Sequence, residues 1–107
     1  MTEILSGLWL GNSNTINNKE FMKKIDVSID CNFKNKQYLS IDLEIEQLLS
    51  KLNYFLNYIK HNLDLYKNIN IFNSNKQDRI EKSNIILVYF LIKNFGINFN
   101  TAVKLII

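Results

Sequence analysis

The stretch from Ile69 to Phe95 sets the strongest constraint on what this chain can fold into. Ile69-Asn70-Ile71-Phe72 reads as a short strand, Asn73 to Lys82 as a polar loop of ten residues, and Asn84 to Asn94 as an apolar helix with Ser83 as its N-cap. That helix is apolar nearly all round, so it belongs inside a core rather than on a surface. Lys93-Asn94-Phe95-Gly96 resembles a helix C-terminus with Gly at the left-handed position, which favours helix over a strand reading of Ile85–Ile92. A strand that hands its chain through a polar loop to a buried helix is an α/β arrangement, and the helix N-terminus it creates suits an anion.

The rest of the chain fits the same class. Ile4 to Gly11 predicts a short strand flanked by glycines, and a short helix follows over 17–24 with Asn17 or Asn18 as cap. Asp26 to Cys31 alternates, with Val27 and Ile29 on one face, and Tyr38 to Leu43 is a further strand. A helix begins near Ile45. Its stripe is Leu48, Leu49, Leu52, Phe55, Leu56, Ile59 and Leu63, with acidic residues at its start and Lys60 and Lys67 near its end. Asn98 or Asn100 opens a last short helix. The predicted order is β-α-β-β-α-β-loop-α-α, with a central sheet of about four strands and helices around it.

Length and composition narrow the functional classes. A chain of 107 residues predicts one domain, residues 1–107, with a feasible but modest core. The longest wholly apolar run, Ile85–Ile92, is too short to cross a bilayer, and no signal peptide opens the chain, so an intracellular, cytoplasmic protein is expected. Cys31 is the single cysteine, which excludes an internal disulfide and a multi-cysteine zinc site. The sequence has 17 Asn, 16 Ile and 12 Lys against one Arg and no Pro, the mark of AT-rich codons rather than of a chemistry. The Asn excess reads as surface and turns. A net charge of +3 with lysines scattered singly makes nucleic acid a poor expected partner.

Taken in order, these pieces resemble the dual-specificity protein phosphatases, small members of the cysteine-dependent tyrosine phosphatase fold. Ile4 to Asn12 is similar to that family's first strand, I-x-x-G-L-Y-L-G-N. Asp26 to Cys31 is similar to T-H-V-I-N-C, and Tyr38-Leu39-Ser40-Ile41 to Y-x-x-I. Val88 to Ala102 matches I-A-Y-L-M-K-x-x-G-M-S-L-E-E-A without a gap. The resemblance covers nearly the whole chain, and it implies a compact three-layer α/β fold. The family continues into one more C-terminal helix that this chain lacks.

The resemblance also implies where chemistry would sit. The family carries H-C-x5-R-S between its last strand and its buried helix. There a thiolate attacks phosphorus, while backbone amides and the arginine hold the phosphoryl oxygens. Here that loop holds Asn73, Ser74, Asn75, Lys76, Gln77, Asp78, Arg79, Ile80 and Glu81. Anchored on the following helix, Lys82-Ser83 falls at Arg-Ser and Lys76 at the nucleophile. Anchored on the preceding strand, Asn73 takes the nucleophile position and Arg79 the arginine position. Neither register supplies a Cys or a Gly. The general-acid position falls near Ile45, beside Glu44 and Glu46.

The expectation is therefore a pseudophosphatase: no catalytic residue, no cofactor and no metal. Its degenerate loop residues, Asn73, Asn75, Lys76, Arg79, Lys82 and Ser83, are available to an anion. It would bind a protein partner such as a phosphoprotein. Two alternatives are a module that binds phosphate, RNA or anionic lipid through the loop lysines, and a phosphoesterase using unorthodox residues. A large DNA virus is a reasonable source, which would place the protein in host cytoplasm. Cys31 is expected buried and inert, His61 on the surface, Trp9 and the phenylalanines in the core, and Tyr54 and Tyr58 partly exposed. Without the final helix, Ile85, Leu87, Phe95, Phe99, Leu105, Ile106 and Ile107 need another cover, which predicts a homodimer.

Overall fold

The computed structural model describes residues 1–12, 14–31, 39–40, 50–72 and 82–107. It is an α/β fold built on one mixed sheet. The opening segment is a hairpin rather than one strand: β1 (Thr2–Leu5) turns at Ser6-Gly7 into β2 (Leu8–Leu10). Gly7 has φ +85°, a left-handed conformation that would strain any residue with a Cβ. This turn adds a strand to the four or so expected. The helix α1 (Lys19–Met22) follows, with Asn18 as N-cap accepting from the Phe21 amide at 3.1 Å. β3 (Val27–Asp30), β4 (Leu39–Ser40), α2 (Leu52–Asp64) and β5 (Ile69–Phe72) come next. Last are α3 (Lys82–Phe95) and α4 (Phe99–Ile106).

Among the described residues the sheet order is β1-β2-β5-β3-β4, antiparallel only in the hairpin. Register puts Leu8, Ile69 and Val27 abreast, then Leu10, Ile71 and Ile29. These residues face α2 and α3 and join Phe55, Leu56, Ile59, Ile86, Leu87 and Phe90 in the main core. Fully burying each Leu, Ile or Phe side chain stabilises by roughly 1.5–3 kcal/mol. The other face of the sheet carries Trp9, Ser28, Asp30, Asn70 and Phe72, and Trp9 meets Phe21 of α1 edge-to-face at 5.2 Å. β5 lies in the middle and is buried along its whole length, as a strand covered on both sides must be.

α3 is the central helix its composition predicts, with Ile86, Leu87, Val88, Phe90 and Leu91 buried. The strand reading of Ile85–Ile92 is thereby overturned. α3 starts at Lys82, so Ser83 is not the N-cap; it sits inside the first turn, wholly buried. Gly96 ends the helix with φ +63°, its amide donating to the Ile92 carbonyl. α4 begins at Asn98, whose side chain accepts from the Thr101 amide at 2.8 Å. Ala102 of α4 packs on Val88 and Leu91 in a second cluster. In α2 the described part of the predicted stripe is buried or packed on the core; the start near Ile45, and most of the strand Tyr38–Leu43, lie outside the described residues. Leu87 is fully buried, and Ile85 and Ile106 pack partly on the core, so these three need no further cover. Phe95 and Phe99 are not core residues; both stand 55% exposed.

Candidate functional site at the carboxyl ends of the parallel strands

The parallel strands finish side by side. The Gly11 amide, just past β2, donates to the Ile71 carbonyl at 2.8 Å, and the Cys31 amide, just past β3, donates to the Phe72 carbonyl at 2.9 Å. β5 ends at Phe72, and the next described element is α3, from Lys82. α3 follows β5 in the chain, and a helix start of this kind carries the positive end of the helix dipole. No acidic residue occupies its first turn, and half-buried Lys82 adds a positive charge there. The other charges of the connection, Lys76, Asp78, Arg79 and Glu81, lie outside the described residues.

Of the predicted site residues, Lys82 and Ser83 stand together in the first turn of α3. Asn73, Asn75, Lys76 and Arg79 lie outside the described residues. Cys31 is adjacent in backbone but not in chemistry. It is fully buried in the main core with Ile29 and Ile71, so its sulfur is closed to a solvent-borne phosphate ester. Its expected burial is borne out. His61 is on the surface, also as expected, and no metal-binding group of His, Cys, Asp and Glu exists among the described residues.

One residue at this edge escaped the sequence reading. Asp30 pairs in register with Phe72 and is only 2% exposed. Alternation in β3 suggests a solvated face for it. The signal that would have corrected this is the predicted parallel sheet, which buries both faces. At the far end of the sheet, Leu5, Ser6, Leu63, Phe90, Asn94 and Phe95, with the Lys60–Asp64 ion pair, line an open, mostly apolar depression of about 480 Å³. It lies beside the β1–β2 turn and the α3 C-terminus, away from the strand ends above.

Compared by sequence, the chain matches no family profile and no curated protein. Compared by structure, it matches phosphatases. DUSP15 superposes with a TM-score of 0.84 at 19% identity, over 99% of this chain and 73% of that one. Human DUSP28 gives 0.79 at 14%, over 98% and 80%. A human tyrosine phosphatase-like serine/threonine/tyrosine-interacting protein gives 0.76 at 21%, over 97% and 80%. At these identities the likeness concerns the fold: the chain has the architecture of the dual-specificity phosphatases.

Proposed function

We propose that this chain is a catalytically silent phosphatase-fold domain, residues 1–107, that works by binding another protein. One observation carries the reading. The connection from β5 to α3 contains no cysteine in its sequence, and the only cysteine is sealed in the core one strand away. Without a thiolate at that connection the phospho-enzyme step is lost, and losing a nucleophile costs many orders of magnitude in rate. The printed name of one structural neighbour, a phosphatase-like interacting protein, fits a fold kept for binding. Phe95, Phe99, Leu105 and Ile107, exposed by 55, 55, 59 and 69%, favour self-association through α4 and the end of α3. A phosphoprotein partner, and action inside the cell, complete the proposal.

Purified protein incubated with a generic aryl phosphate is expected to give no turnover above background. Turnover that disappears in Lys76→Ala, Arg79→Ala or Lys82→Ala would overturn the reading in favour of an unorthodox phosphoesterase. A second reading, anion binding without turnover, is favoured by Lys82 in an α3 first turn without acids. Salt-sensitive binding to anionic lipid or RNA, weakened by those same substitutions, would establish it.

A further inference from the structure

We propose that the α1-covered face of the sheet holds an internal water between Asn70 and Ser28. Asn70 is fully buried at the middle of the sheet, in register with Trp9 on one side and Ser28 on the other. Asn70 and Ser28 therefore stand on the same face of neighbouring parallel strands, about 4.8 Å apart in the pairing direction. Among the described residues, Asn70 Oδ1, Asn70 Nδ2 and Ser28 Oγ have no hydrogen-bond partner. Ser28 is only 8% exposed, so bulk water does not satisfy it. Buried amides and hydroxyls in folded proteins are satisfied by protein or by ordered water, and among the described residues no protein group does it here.

The site is fixed on its other sides. Asn70 Oδ1 lies 2.6 Å from where a Cβ on Gly11 would stand, and Thr15 Oγ1 lies 2.9 Å from the same point. The missing side chain at Gly11 leaves the space that the Asn70 carbonyl oxygen occupies on the β2 side. The Trp9–Phe21 ring pair lies next to Asn70 on this face and shields it from solvent. A water on the β3 side accepts from Asn70 Nδ2 and donates to Ser28 Oγ. It thereby joins β5 to β3 where no direct side-chain bond does. A water there gives Asn70 Nδ2 and Ser28 Oγ a partner that no described protein group supplies.

Water-to-protein cross-relaxation in solution tests this on the wild-type chain. The expected result is a long-lived water contact at the Asn70 side-chain amide, lost in Asn70→Leu and weakened in Ser28→Ala. A high-resolution crystal structure should show one water within hydrogen-bond distance of both side chains. A direct Asn70–Ser28 bond, another protein group filling the gap, or the absence of a long-lived water signal at Asn70 would each overturn the proposal. The wild-type measurements decide it even if Asn70→Leu does not fold.

Discussion

The amide of Cys31 donates to the carbonyl of Phe72 over 2.9 Å, tying the residue after β3 to the last residue of β5. Backbone and side chain diverge at this point. The main chain of Cys31 borders the connection to α3, while its side chain joins Ile29 and Ile71 in the core. A buried thiol reacts only when the structure opens. Ellman's reagent should therefore leave the native protein almost unlabelled and modify one thiol per chain in denaturant. Labelling of the native protein at the rate of an exposed cysteine would contradict this placement.

Gly11 has no room for a side chain. An added Cβ would meet Asn70 Oδ1 at 2.6 Å and Thr15 Oγ1 at 2.9 Å, neither of which lies at the end of a long flexible chain. Gly11→Ala is expected to cost about 1–3 kcal/mol, read as a lower denaturation midpoint. Adding Asn70→Ala should make the two losses sum to less than their separate values, because the pair shares one contact.

Tyr66 holds a conformation better suited to glycine. α2 closes with the Tyr66 amide donating to the Leu63 carbonyl at 2.9 Å and the Lys67 amide to the Asn62 carbonyl at 3.1 Å, which forces Tyr66 to φ +58°. Its ring is 95% exposed, so little packing offsets the strain. Tyr66→Gly should stabilise the protein by up to about 1 kcal/mol in thermal or urea unfolding. A loss of stability would mean the ring makes contacts that its exposure denies.

Self-association through α4 has a direct test. Leu105→Asp and Phe99→Asp change side chains more than half exposed, so folding stability should move by no more than about 0.5 kcal/mol. Light scattering at tens of micromolar should show a dimer for the wild-type chain and a monomer for the pair of substitutions. A wild-type monomer removes the dimer.

Much of this fold is legible in the residues. Period and caps place β3, α1, α3 and α4, because Asn18, Asn98 and Gly96 have clear local jobs. Three features were hidden for physical reasons. The hairpin at Gly7 depends on a positive φ inside what looks like one apolar run. Asn62 and Asn70, read as part of a surface excess, are buried. Asn62 donates to the Tyr58 carbonyl at 2.9 Å, and composition says nothing about such a bond. The exposure of Phe95 and Phe99 follows from how α4 leaves α3, a tertiary matter that no local pattern carries. At the candidate site, the sequence order located Lys82 and Ser83 at the head of α3, yet gave no hint of the buried Asp30 beside Phe72.

The first strand sets a limit on how copies of this chain can join. β1 lies at the margin of the sheet, its pairing slips between Glu3 and Leu5, and the Glu3 carboxylate is turned back to accept from the Gly7 amide at 3.2 Å. A margin that is irregular and guarded by an acidic side chain is a poor template for a foreign strand. Growth by β-augmentation into fibres is therefore disfavoured on this side. The self-association proposed through α4 would then rest on helix contacts, with no strand added at β1.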